Sequence, residues 1–100
     1  MPGTAGLAAV NGAIMCMALT LAKELAPIRV NIISPGMVDT PAYNWMPEEE
    51  KQGFLKQVGD SLPVGRVGQP DEIAEAARYL VTNAYTTGVV LDVDGGGKLH

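Results

Sequence analysis

The chain holds a single cysteine, Cys16, and a single histidine, His100, in 100 residues. One thiol excludes an internal disulfide, and with no Cys/His cluster there is no metal-ligand spacing, so no metal site is expected. Basic side chains are scarce: seven Lys and Arg face eleven Asp and Glu, for a net charge of −4. A nucleic-acid partner would want a basic surface, and none is expected here. Residues 1–22 carry no charged side chain, and Met1-Pro2-Gly3-Thr4 lacks the basic start of a secretory signal. No Gly-x-Gly-x-x-Gly follows a β-rich run. Gly95-Gly96-Gly97 comes so near the C-terminus that no helix can form behind it, so it is no phosphate loop. A free thiol suits a reducing compartment, and a cytoplasmic location is the expectation.

What is present is apolar and small. Leu7 to Ala22 (LAAVNGAIMCMALTLA) is shorter than the roughly 20 residues of a membrane span and contains Asn11, Gly12 and Thr20. The reading is a helix over residues 5–26, buried on several sides by protein and not by lipid. Cys16 falls in its middle among apolar neighbours and is expected as core, not nucleophile. Ala8, Gly12, Cys16 and Thr20 recur every fourth residue, a small-residue stripe that lets another helix approach. Lys23 and Glu24 mark where the helix reaches water. A helix apolar nearly all round needs more cover than a chain this short can supply.

Ile28–Ser34 (IRVNIIS) reads as a strand closed by Pro35-Gly36. Pro47 followed by Glu48, Glu49 and Glu50 opens a helix running to about Asp60, with Phe54, Leu55 and Val58 inward. The three glutamates suit a solvated helix start and are not read as metal ligands. Pro70-Asp71-Glu72 opens a third helix, with Ile73, Ala76, Ala77, Leu80 and Val81 as its apolar face. Val89–Val93 is a second strand. Helix, strand, helix, helix, strand implies a parallel, right-handed crossover and an α/β layered architecture. Two parallel strands do not make a stable sheet, so the order reads as the C-terminal part of a doubly wound, Rossmann-like domain.

Ligands of open parallel sheets bind beyond the carboxyl ends of the strands. NIISPGMVDTP, from Asn31 to Pro41, is such an end. A proline stops the strand, and a glycine would let a ligand approach the backbone. The plain alternative is a strand-to-loop turn with an Asx-type bond from Asp39. Three blocks in order, LAKELAPIRVNIISPGMVDTP, LPVGRVGQPDEIAEAARYL and TTGVVLDVDGG, resemble the C-terminal part of a classical short-chain dehydrogenase/reductase. The resemblance covers nearly the whole chain as a partial Rossmann-like domain over residues 1–100. It implies that the N-terminal dinucleotide-binding half, with its glycine fingerprint and its NAD-or-NADP selector, is absent.

That resemblance implies a site. Pro35 and Gly36 would wall the nicotinamide of NAD or NADP, Val38 would offer backbone groups to its carboxamide, and Thr40 a hydroxyl. The loop from Met37 to Met46 and the following helix would be a mobile substrate cover. Met37, Tyr43, Trp45 and Met46 are candidates to line the pocket; alternatively Trp45 and Met46 anchor the loop on the core. The family's catalytic tyrosine and lysine, four residues apart on the long helix, fall on Leu7 and Asn11. Leucine transfers no proton and asparagine carries no charge, although Asn11 can bond a ribose hydroxyl or be satisfied locally. No tyrosine precedes Tyr43 and no lysine precedes Lys23. The expected function is therefore the C-terminal fragment of an NAD(P)-dependent oxidoreductase moving hydride between cofactor and a carbonyl or alcohol, inactive alone. The alternative is a non-catalytic cofactor-sensing or oligomerisation module of the same fold. Self-association into a homo-oligomer is expected, with no nucleic-acid or membrane partner. His100, as the terminal residue, is read as a frayed tail.

Overall fold

A computed structural model describes residues 5–99; His100 and the stretch Met1-Pro2-Gly3-Thr4 lie outside the described residues. The elements are α1 (Ala5–Glu24), β1 (Ile32–Pro35), a 3-10 turn (Pro41–Tyr43), α2 (Glu48–Ser61), α3 (Pro70–Thr82) and β2 (Val90–Val93). β1 and β2 pair in parallel, with Ile32 opposite Val90 and Pro35 opposite Val93. This is the helix, strand, helix, helix, strand order of an α/β layered protein.

β1 starts four residues later than its β-rich composition implies, because the side chains ahead of it are engaged elsewhere. The Arg29 guanidinium donates to the carbonyls of Leu80 (2.6 Å), Val81 (2.8 Å) and Thr86 (3.1 Å). It thereby closes the last turn of α3, where free carbonyls and the helix dipole favour a cation. Asn31 bridges in both directions: its amide nitrogen donates to Thr86 O at 3.1 Å, and its amide oxygen accepts from Val89 N at 3.0 Å. Residues 28–31 thus dock β1 against the approach to β2.

Pro35 lies inside β1 without breaking it. Ile32 N donates to Val89 O and Gly36 N to Val93 O, so in a parallel ladder the even-numbered amides face β2. Pro35 therefore points its missing N–H to the opposite edge, where no ladder bond is lost.

Gly36 follows, and a Cβ there would sit 2.7 Å from both Cα and Cβ of Asp94. The two strand ends abut, and this packing alone demands glycine. That contact is a reason for glycine independent of any ligand. Gly59 plays the same part in α2, where an added Cβ would lie 2.8 Å from Arg66 Cα.

The helix starts follow their sequence signals. α2 begins behind Pro47 with three glutamates in its first turn. At α3, Gln69 and Glu72 form a capping box in which the Glu72 carboxylate accepts from Gln69 N at 2.9 Å. Leu55, Val67 and Leu80 are buried, and Phe54 and Val58 are half-buried. Val81, expected on the inner face of α3, is 73% exposed; at the last turn the helix has passed the sheet, and Arg29 takes the Val81 carbonyl instead.

α1 lacks within this chain the cover that so short a chain was not expected to supply. Only Ala22 is buried, at the end where it meets Gly88. The helix expected to be covered by protein lies open along Leu7, Val10, Ile14 and Met17. Cys16, expected as core, is exposed for the same reason, as are Ala8, Gly12 and Thr20. By length and composition α1 is also apolar enough to cross a bilayer, a property that buried core helices share.

Candidate functional site

The cleft sits where the carboxyl end of β1 turns outward. Pro35, Gly36, Val38, Thr40 and Tyr43 line it from one side, Pro70 and Ile73 from α3, around a volume of about 450 Å³. Five residues named from the sequence are thus gathered around one space: four expected to hold the cofactor and Tyr43 from the expected substrate wall.

The wall is held by a short parallel bridge between Val38 and Gly68. Gly68 N donates to Met37 O at 2.9 Å and Asp39 N donates to Gly68 O at 3.0 Å. Those bonds use the groups on either side of Val38. Among the described residues, neither the N–H nor the C=O of Val38 has a partner within the chain. A rigid donor–acceptor pair is therefore left over on a fixed backbone, the arrangement that suits a planar amide.

Thr40 stands next in the wall. Its hydroxyl oxygen accepts from Ala42 N at 3.3 Å, capping the 3-10 turn, which leaves its own O–H free to donate. The turn that the plain alternative would close with Asp39 is closed by Thr40; the Asp39 carboxylate instead faces Lys51.

Tyr43 donates its hydroxyl to Met37 Sδ at 2.8 Å and tilts its ring on Phe54, with centroids 6.0 Å apart. Met37 and Tyr43 are therefore together, although Met37 opens onto a second hollow of about 320 Å³ beside Arg66, Glu72, Asp92 and Asp94. Met46 is half-buried but lines neither space. Trp45 is 77% exposed, so it neither lines the pocket nor anchors the loop. Both expectations for it fail, because Met46 N bonding back to Tyr43 O at 3.1 Å turns the chain and leaves the indole outside.

Asn11 lies in an adjoining groove of about 300 Å³ with Ile14, Met15, Ile32, Ile33, Ser34 and Pro35. Pro35 is shared by both spaces, so the groove runs from α1 past β1 to the cleft. Leu7, one turn before Asn11, is 62% exposed.

Behind the cleft, Arg66 grips Glu72 with both guanidinium nitrogens at 2.8 Å. That bidentate bond, with the Gln69 amide second, holds the Glu72 carboxyl at about 2. After β2, the Asp94 carboxylate accepts from Gly96 N at 2.9 Å and folds residues 94–97 into a turn. Among the described residues no cluster of metal-ligating side chains occurs.

A parallel strand pair flanked by helices, with an open cleft at the strand carboxyl end, places the molecule among the Rossmann-like α/β proteins. The chain belongs to the short-chain dehydrogenase/reductase family: residues 1–98 match the family model described as enoyl-(acyl carrier protein) reductase. It is 43% identical over 99 residues to the 3-oxoacyl-(acyl-carrier-protein) reductase FabG of Chlamydia muridarum, covering 95% of this chain and 38% of that protein. It is 37% identical to its counterpart from Thermotoga maritima, covering 95% and 39%. Among solved structures, a small-chain dehydrogenase in complex with NADPH superposes with a TM-score of 0.86 at 45% identity, over 100% of this chain and 46% of the other. An NADPH-bound short chain oxidoreductase from Pseudomonas aeruginosa PAO1, described as containing an atypical catalytic center, gives 0.78 at 33% identity, over 92% and 38%. The chain therefore spans about two fifths of the length of the curated relatives it matches.

Proposed function

We propose that the cleft beside β1 receives the nicotinamide end of NAD or NADP. The whole protein to which these residues contribute then moves a hydride between that cofactor and a small carbonyl or alcohol. The observation that carries this reading is the unpartnered backbone pair of Val38, a residue fixed by the bridge to Gly68 and lining the same cleft as Thr40. When bound, the cofactor supplies or accepts the hydride. Val38 N–H and C=O bind and orient the carboxamide, the Thr40 O–H adds a donor, and Pro35 and Gly36 exclude water beside the ring. Asn11 offers an amide to a ribose hydroxyl in the adjoining groove. Met37 and Tyr43 wall the substrate side. This reading takes the chain as the C-terminal part of the fold, with the pyrophosphate and adenosine contacts made by residues outside it, in the cytoplasm.

Leu7 and Asn11 stand where the resemblance places the catalytic tyrosine and lysine, and neither does their chemistry. General acid–base assistance worth about 10²–10⁴ in rate is thus missing at these positions, and the chain is inactive alone. The same substitution, with the open apolar length of α1, favours a second reading: a non-catalytic, cofactor-sensing or oligomerising module in which a second copy covers that helix.

The test is a thermal-shift titration with NADH and NADPH of the wild type and of Thr40→Val. Ligand at 100 times its Kd stabilises by about 2.7 kcal/mol, which for a domain this small raises Tm by about 10–20 °C. The first reading expects a saturable rise that Thr40→Val weakens about three- to tenfold in affinity, the loss of one neutral hydrogen bond. A cooperative melt without any shift refutes the cofactor site and leaves the interaction module.

A further inference from the structure

We propose that Lys51 latches the α2 cover to the loop bearing Val38 and Thr40, so that the cover stays closed on the fixed cleft wall. Lys51 Nζ lies 3.0 Å from Asn44 Oδ1 and 3.4 Å from Asp39 Oδ1. The Lys51 side chain is only 12% exposed and that of Asp39 29%, unlike the solvated Lys56–Asp60 pair on the same helix, at 77% and 61%. An exposed pair is screened and contributes little; a half-buried one with a second acceptor holds position. Asp39 is itself fixed, since its amide is bonded to Gly68 O.

The other end of α2 is a pivot. Leu55 is buried, and Gly59 lies so close to Arg66 that no side chain fits between them. α2 packs chiefly on the loops around it, with scant contact to the sheet or α3. At its N-terminal end, Glu48, Glu49 and Glu50 are exposed. What ties that end down is Lys51, assisted by Phe54 against Tyr43. A helix pinned at one end and tied at the other by one ion pair, one hydrogen bond and one ring contact opens when those ties release. Because Asp39 is held beside Val38 by its own bond to Gly68 O, release of Lys51 frees the cover while the wall stays in place. Lys51 is thus a positioning residue, acting through its neighbours.

The latch is a statement about the fold, and it rests on the cofactor reading only for its effect on affinity. Hydrogen exchange on the full chain tests it in the wild type, Lys51→Met, Lys51→Arg and Asp39→Asn. Amides of residues 41–55 are expected to exchange roughly two- to tenfold faster in Lys51→Met and Asp39→Asn, with residues 66–93 unchanged and Lys51→Arg close to wild type. Unchanged exchange over 41–55, acceleration spread equally through 66–93, or no protection of 41–55 in the wild type overturns the latch. An NADPH titration of the same proteins is expected to show weaker binding in Lys51→Met by a similar factor. A wild type that binds no NADPH overturns the cofactor reading and leaves the exchange result to decide the latch.

Discussion

Replacing Gly36 by alanine separates two reasons for a glycine after β1. Its Cβ would come within 2.7 Å of Asp94 Cα and Cβ and 3.1 Å of Asp94 O. Two of these three atoms are backbone, and Asp94 is held by its bonds to Gly96 N and Gly97 N, so the neighbour cannot turn aside as a flexible side chain would. Forcing one methyl group into such a contact costs about 1–3 kcal/mol. Taking about 2 kcal/mol, and about 4–8 °C per kcal/mol for a domain of this size, Tm should fall by about 8–16 °C. Gly53→Ala is the control. Its Cβ meets nothing within 4 Å, so an interior helix position should gain about 0.5–1 kcal/mol. Thermal unfolding followed by circular dichroism reads both. A Gly36→Ala protein that melts with the wild type would refute the abutting strand ends. The glycine would then have to serve ligand approach, and a loss confined to NADPH binding would be its signature.

Arg29→Met should destabilise by about 1.5–3 kcal/mol, because three carbonyls, two at the end of α3 and that of Thr86, lose a charged donor; urea unfolding with an unchanged m-value checks it. Glu72 carries a pH dependence of definite sign. Its folded value of about 2 lies below the ordinary 4.5, so its ion pair with Arg66 and its cap on Gln69 stabilise fully above about pH 4.5. That contribution is lost as pH falls toward 2. Glu72→Gln should flatten the acid limb of Tm against pH between those values, and an unchanged limb would show that other carboxylates set it.

How far the sequence could be read depended on whether a signal was local. Pro47 with its glutamates and Pro70-Asp71-Glu72 name their helices because capping and dipole effects act within one turn. The glycine triplet after β2 was legible as no phosphate loop for the same reason. Arg29 and Asn31 were not legible: both sit in a β-rich run, yet their partners lie more than fifty residues on, and they delay the strand to Ile32. An arginine and an asparagine interrupting such a run were the available hint. The bridge of Val38 to Gly68 joins two loops and leaves no periodicity at all. Trp45 and Val81 failed as buried residues because apolarity says what a side chain prefers, and not whether anything stands opposite. For α1 the apolar count did identify a helix in need of cover, but not that this chain covers only Ala22.

The bridge between Val38 and Gly68 has a further meaning. The chain passes Val38 three residues after β1 and comes back beside it at Gly68 just before α3, so the 3-10 turn and α2 lie on an excursion with a closed neck. Closing the neck by two backbone bonds removes the sheet's dependence on the excursion's length, since loop entropy grows only slowly with added residues. The segment can be lengthened, trimmed or exchanged for a relative's while β1, α3 and Val38 stay in place, so long as Val64 and Arg66, which bond Gly95 O and Glu72, are kept. Grafting at residues 39 and 67 is accordingly the natural seam for altering what enters the cleft.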